Sequence, residues 1–309
     1  MYRGRIRIEG RDRVSFLQAL LTNDLAALTR ERGVYSAYLT PQGRLVSDLR
    51  LYDRGDHLLA DVPAAVAASL VARLDGLVFA EDVRISDVSG DVGAIRVIGA
   101  QAAACLATAV GADSAAITAL PPLGCVDRPP VFFTRSDEIE PPAFDLFFAA
   151  AERGSVIDGL QRTGVEPVSE DVGEVLRIEA GRPAFGPDMD DHTIPLEAGL
   201  LDRAISLTKG CYVGQEVIVR VLHRGGGRVA RRLVKLAFDP ALDVVPEAST
   251  PVRVDGSDAG RLTSAAFSPG RQRVIALAYL PREAAEASRG VTASVAGREW
   301  HADVTGLAG

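Results

Sequence analysis

Lys209-Gly210-Cys211-Tyr212-Val213-Gly214-Gln215-Glu216 decides how this chain is organised, together with two segments just before it, Leu176-Arg177-Ile178-Glu179-Ala180-Gly181-Arg182-Pro183 and Thr193-Ile194-Pro195-Leu196-Glu197-Ala198-Gly199-Leu200. The segment around Glu179 closes a helix over 169–180. Ser169 can cap it, Glu170 and Asp171 suit its positive end, and Val172, Leu176 and Ala180 line one face. Gly181 stops the helix and Pro183 forbids restarting it. Glu179, three residues after Leu176, lies at the edge of the apolar face. Around Cys211 the chemistry changes. Flexible Gly210 precedes the thiol and cationic Lys209 is two residues back. A nearby cation favours thiolate over thiol. Residues 216–222 are β-branched enough to read as a strand.

Upstream, residues 5–9 alternate as a strand, and 12–28 read as a helix broken near Thr22-Asn23-Asp24. Residues 35–39 and 44–52 are strands joined through Thr40-Pro41-Gln42-Gly43, with proline and glycine at turn positions. A hairpin partner at 57–62 follows, then a helix over 63–77 with Pro63 in its first turn. Strands near 83–88 and 94–98, a helix over 101–110, a strand at 143–148 and a helix from about 152 make an α+β module. Residues 111–143, rich in Ala, Pro and Gly, read as loops around one strand at 131–134. No glycine-rich phosphate loop is present, so this is not a dinucleotide fold. From about Val229 the pattern becomes short alternating strands at 233–238, 252–254, 261–266, 274–278 and 291–295, the spacing of a small barrel or sandwich.

The 309 residues suffice for two or three domains, and 47% hydrophobic with 24% charged residues is the balance of a folded soluble chain. No apolar run approaches the roughly 20 residues that span a bilayer. The start lacks a signal-peptide apolar core, and the three cysteines form no C-x-x-C pair; a cytoplasmic, reduced protein is expected. A net charge of −7 argues against nucleic acid. Against that average, Arg220, His223, Arg224, Arg228, Arg231 and Arg232 form an acid-free window: a solvated face, or a local anion site for a carboxylate tail or an acidic partner.

Taken in order, these segments resemble the aminomethyltransferase (glycine-cleavage T-protein) superfamily. The 176–183 and 193–200 segments resemble its central signatures, and Thr22-Asn23-Asp24 with Leu39-Thr40-Pro41-Gln42-Gly43-Arg44 its N-terminal part. The 209–216 motif is similar to the one that marks the YgfZ branch. The resemblance covers nearly the whole chain. It implies an α+β, three-domain ring around a central folate site, with a discontinuous first domain (1–47 and 145–228), a ferredoxin-like α+β second domain (48–144) and a C-terminal β-barrel (229–309). It also implies a helix, rather than a strand, after Gly214.

By the same resemblance the ligand is tetrahydrofolate or a one-carbon derivative, and Glu179 holds the pterin. Judged alone Glu179 is a solvated glutamate, yet a carboxylate accepts two hydrogen bonds in a plane, which suits an aminopyrimidine edge. Asp48, Tyr212 and Arg231 are the other folate candidates. Cys211, Asp48 and Lys209 are the catalytic candidates, and no residues have metal spacing. The transferases carry paired aspartates where this chain has Ser47-Asp48, and an asparagine-rich segment where it has the apolar run 58–64. One carboxylate fewer weakens stabilisation of a cationic iminium. The resemblance therefore implies a folate-binding accessory factor working with iron–sulfur assembly machinery or client proteins, with Cys211 as its thiol. The alternatives are a folate-dependent aminomethyltransferase or other one-carbon transferase, and a scaffold that has lost its ligand. Cys105 and Cys125 read as buried hydrophobes. The histidines have no partner motif, and Asp188–His192 reads as a solvated turn.

Overall fold

The computed structural model describes residues 3–223, 226–287 and 290–309, and the chain divides into two compact units. The first unit comprises Met1–Tyr38, Ser47–Ser169 and Ser206–Tyr212. Strand β1 (Arg3–Glu9) alternates basic and apolar side chains, which buries Ile6 and Ile8 on one face. Helix α1 (Arg13–Leu20) ends before Thr22, and a 3-10 turn at Leu25–Ala27 resumes after the expected break, with Asp24 capping it. Strands β2 (Val34–Leu39), β3 (Leu45–Asp53), β4 (His57–Pro63) and β5 (Arg84–Asp87) join β1 in a sheet ordered β2-β3-β4-β1-β5. Pro63 ends β4 instead of opening a helix, and α2 (Ala67–Asp75) starts after a further 3-10 turn.

A second sheet in this unit, ordered β6-β9-β8-β7, consists of β6 (Val92–Ile98), β7 (Cys125–Arg128), β8 (Val131–Arg135) and β9 (Ala143–Ala149). Its Phe133, Phe144, Leu146 and Phe148 share a core with Leu106 of α3 (Ala102–Val110) and with Val156 and Leu160 of α5 (Arg153–Gln161). Residues 111–143 are more ordered than their composition suggests. They hold α4 (Ser114–Thr118), capped by Asp113, and two strands where one was expected. The rings of Tyr52, Phe132 and Phe147, 5.4–5.7 Å apart, join the two sheets. The domain limits expected at 47/48 and 144/145 fall inside β3 and β9.

The second unit comprises Leu39–Val46, Glu170–Ile205 and Val213–Gly309. It contains α6 (Glu170–Ala180), α7 (Leu201–Ala204), α8 (Gln215–His223) and a closed barrel, β10-β13-β12-β11-β14-β15. The barrel strands are β10 (Arg231–Phe238), β11 (Pro251–Val254), β12 (Ser257–Ser268), β13 (Arg273–Pro281), β14 (Val291–Val295) and β15 (Arg298–Leu307), with α9 (Arg282–Glu286) after β13. The sequence reading missed β15, whose Trp300, Ala302 and Val304 alternate into the barrel core. Residues 216–222 are helical. Ile218, Val221 and Leu222 recur at helical spacing, and that period outweighs their β-branched content. Gly214 is required before α8: its φ is +82° and a Cβ there would lie 2.5 Å from the Thr40 carbonyl oxygen. Among the described residues no helix is long and apolar enough to cross a membrane.

Candidate functional site

Helix α6 lies against the outer face of the barrel, where Ile178 shares a core with Leu233, Ile275, Leu277 and Tyr279. One residue earlier, Arg177 turns the other way into a buried polar cluster. Its Nη1 donates to Asp188 Oδ2 at 2.6 Å and its Nη2 to Ser264 Oγ at 2.9 Å. Asp188 Oδ2 also accepts from the Ala184 N–H at 2.9 Å, and Oδ1 from the Thr263 and Ser264 hydroxyls at 2.5 and 2.7 Å. The Tyr279 hydroxyl donates to the Asp188 carbonyl at 2.9 Å. Asp188 is thus a hub with a 0% exposed side chain. The solvated turn expected at 188–192 is corrected at this residue: four donors compensate a carboxylate that would otherwise face water. Asp191 and His192 are solvent-exposed, as expected.

Glu179 is half-buried rather than solvated. Its Oε1 accepts a short hydrogen bond from the hydroxyl of Ser268, at the end of β12. The Arg271 N–H donates to the same hydroxyl at 3.1 Å, and the Arg271 guanidinium donates to the Glu179 carbonyl at 3.4 Å. In the same unit Arg231 stacks over the Tyr279 ring at 4.4 Å and donates to Glu197 Oε2 at 3.1 Å. Burial pushes the Tyr279 hydroxyl up, keeping it a donor. Arg231 is therefore held by the 193–200 segment, with its side chain 35% exposed.

Asp48 sits in the first unit. Its carboxylate is buried, with Arg3 Nη1 at 3.5 Å and Arg50 Nη1 at 3.9 Å. The network continues from Arg50 to Asp137 at 2.7 Å and Glu138 at 3.0 Å, and from Arg96 to Glu138 at 2.5 Å and Asp145 at 2.6 Å. Arg3 also pairs with Asp61 at 2.9 Å. Burial opposes the charge on Glu138, but Arg50, Arg96 and Arg3 hold its carboxyl well below the usual range. With Asp61 burial wins, and its carboxyl is raised. Ser47 is fully buried, its hydroxyl donating to the Asp48 carbonyl at 2.8 Å.

The loop carrying Cys211 belongs to the first unit as well. Lys209 Nζ donates to the carbonyls of Gln18, Leu21 and Asn23 at 2.6, 2.7 and 3.0 Å. Two segments singled out in the sequence, Thr22-Asn23-Asp24 and Lys209-Gly210-Cys211, are joined by this one ammonium. Its three N–H donors all serve to hold the loop. Burial lowers it to about 8, with Asp24 pulling the other way. The Tyr212 ring lies 5.4 Å from Nζ, and burial pushes its hydroxyl up to about 12. Cys211 is exposed, Cys125 buried and Cys105 intermediate. Burial pushes the Cys125 thiol up to about 11, consistent with an inert packing residue.

Among the described residues no group of three or more His, Cys, Asp or Glu could hold a metal ion. In the basic window, Arg220 pairs with Glu216 at 2.6 Å on an exposed face, and Arg224 lies outside the described residues. Sequence reasoning missed Ser268, Asp188 and the Arg3–Arg50–Arg96 network. Each becomes visible only when strands distant in sequence are brought together.

Comparison with known proteins agrees with this fold. Residues 2–209 match the GCVT N-terminal domain, and residues 231–308 match the glycine cleavage T-protein C-terminal barrel domain. An aminomethyltransferase of Rubrobacter xylanophilus is 31% identical over 282 residues, covering 91% of this chain and 74% of the relative. One from Geobacillus kaustophilus is 29% identical over 313 residues, covering 97% and 83%. A putative chloroplastic transferase of Arabidopsis thaliana is 28% identical over 303 residues, covering 94% and 66%. The crystal structure of the glycine cleavage system aminomethyltransferase T from Bartonella henselae superposes with a TM-score of 0.86 at 23% identity, covering 98% of this chain and 82% of that one, and shares its fold. The fold is that of the aminomethyltransferases, a helical and sheet-containing N-terminal part followed by a six-stranded barrel. The chain belongs to the glycine cleavage T-protein family.

Proposed function

We propose that this protein binds tetrahydrofolate or a one-carbon derivative through Glu179 and works in folate-dependent one-carbon transfer. The observation that carries the reading is Glu179 itself: a half-buried carboxylate held in place by Ser268, at the motif position whose carboxylate holds the pterin in the resembling family. The relatives' name, aminomethyltransferase, supports transfer of a one-carbon unit as the activity to test first. Asp48 weighs on the rate. Arg3 and Arg50 stand 3.5 and 3.9 Å from its carboxylate but also serve Asp61, Asp137 and Glu138, so its charge is shared across a buried network instead of being aimed at a developing cation. Arg231 and Tyr212 remain secondary contact candidates.

Calorimetry on Glu179→Ala tests the pterin assignment. Affinity for tetrahydrofolate is expected to fall by at least about 1.5 kcal/mol, the scale of lost charge-assisted hydrogen bonds. A folded variant that binds like wild type would remove Glu179 from the site.

A second reading, of the YgfZ kind, makes the protein a folate-binding accessory factor for iron–sulfur assembly. The exposure of Cys211 favours it, because a thiol kept for packing is buried. Cys211→Ser is expected to cost under about 1 kcal/mol of stability, since an exposed loop side chain packs little. It should leave folate affinity intact, yet fail to support iron–sulfur enzymes in cells lacking the native protein, because a hydroxyl supplies no thiolate at neutral pH. Full complementation by the serine variant would refute this second reading.

A further inference from the structure

We propose that Ser268 is a positioning residue for Glu179: its hydroxyl fixes one carboxylate oxygen and leaves the other to face the donor edge of a ligand. The inference rests on Glu179 being the pterin-holding carboxylate. Ser268 is fully buried at the last position of β12. Its oxygen accepts the Arg271 N–H at 3.1 Å from the turn between β12 and β13. A backbone N–H can only donate, and a hydroxyl has a single proton. With Arg271 on the lone-pair side, that proton points at Oε1 of Glu179, so the direction of the short Ser268–Glu179 bond is fixed by the main chain.

The same turn holds the helix end by a second route, the Arg271 guanidinium on the Glu179 carbonyl at 3.4 Å. Backbone and side chain of Glu179 are thus both tied to one β-turn. Among the described residues no other group bonds the carboxylate, so Oε2 is left for a ligand N–H. The consequence is preorganisation. A glutamate loses rotamer freedom when a ligand orders it, and Ser268 imposes that ordering during folding instead.

The test is a double-mutant cycle on the full chain: tetrahydrofolate titrated calorimetrically into wild type, S268A, E179A and the double variant. S268A removes one oxygen atom. The Arg271 N–H that it frees lies in an exposed turn where water can replace the bond, and thermal melting verifies that the variant folds. S268A is expected to bind about five- to tenfold more weakly, and the double variant to bind within about twofold of E179A, because Ser268 acts only through Glu179. Undiminished S268A affinity, with E179A impaired, would overturn the positioning role. So would an S268A loss that persists in full on the E179A background, which marks a structural effect. E179A binding at wild-type affinity would instead overturn the pterin assignment, and the positioning role with it.

Discussion

Asp188→Ala is expected to destabilise the protein by about 3–5 kcal/mol, the range for deleting one partner of a buried ion pair. The loss has two parts. Arg177, with a side chain only 5% exposed, keeps Glu174, Ser264 and the Arg182 carbonyl but loses the Asp188 carboxylate. The Ala184 N–H and the Ser264 hydroxyl lose their acceptor together, while Thr263 keeps the Leu277 carbonyl at 3.2 Å, and a buried donor left unmade carries its own desolvation cost. Asp191→Ala is the control. Its carboxylate is 78% exposed, so its removal should stay within about 0.5 kcal/mol. Urea denaturation of the two variants checks the contrast, and near-equal midpoints would show that the cluster does not hold α6 to the barrel. Because Arg177 stands two residues before Glu179, Asp188→Ala should also weaken folate binding.

The second large effect is pH-dependent. Glu138→Gln is expected to cost about 3 kcal/mol at pH 7, since it leaves Arg50 and Arg96 less compensated in a buried network. Glu138 has a folded-state value well below the ordinary 4.5, so its contribution is fully present above 4.5 and is lost as pH falls through that lower value. The gap in stability between wild type and Glu138→Gln should therefore stay constant from pH 7 to about 5 and close on further acidification. Asp61 works in the opposite sense. Its carboxyl is raised above the ordinary 3.8 by burial, against Arg3 and Arg50, so it favours the folded state below that ordinary value and the benefit is lost as pH rises through the raised one. Glu138 is one of the charges that raise Asp61, so the comparison is made on an Asp61→Asn background, where that contribution is absent from both chains. A gap that is unchanged down to pH 3 would show that Glu138 is not the group losing its charge.

What was legible in the sequence was whatever is periodic or local. The helix ending at Gly181 and five of the six barrel strands follow from spacing and turn residues within a few positions, but the expected Val172–Leu176–Ala180 face does not: Val172 is exposed, and Ile178 is the apolar residue the helix buries. The helix after Gly214 was legible only by resemblance, because Val217, Ile218, Val219 and Val221 carry a strand-like composition on a helical period. The partners of the site residues were not legible. Asp188 meets Thr263 and Ser264 across 75 and 76 positions, Glu179 meets Ser268 across 89, and Lys209 reaches Asn23 across 186. No local period encodes such pairs; they exist only once β12 and the β12–β13 turn lie against α6, and once the Lys209 loop meets the end of α1. The burial of Asp48 was hidden for the same reason. Its neutralising arginines come from β1 and from two positions along its own strand, and neither looks unusual in sequence.

The central claim is that this chain binds folate, and one titration tests it most directly. Purified full-length protein titrated with tetrahydrofolate under reducing conditions should show saturable binding at a single site, with affinity weakened at least roughly tenfold in Glu179→Ala. No detectable heat and no spectral change in the wild-type protein at millimolar ligand would contradict the account.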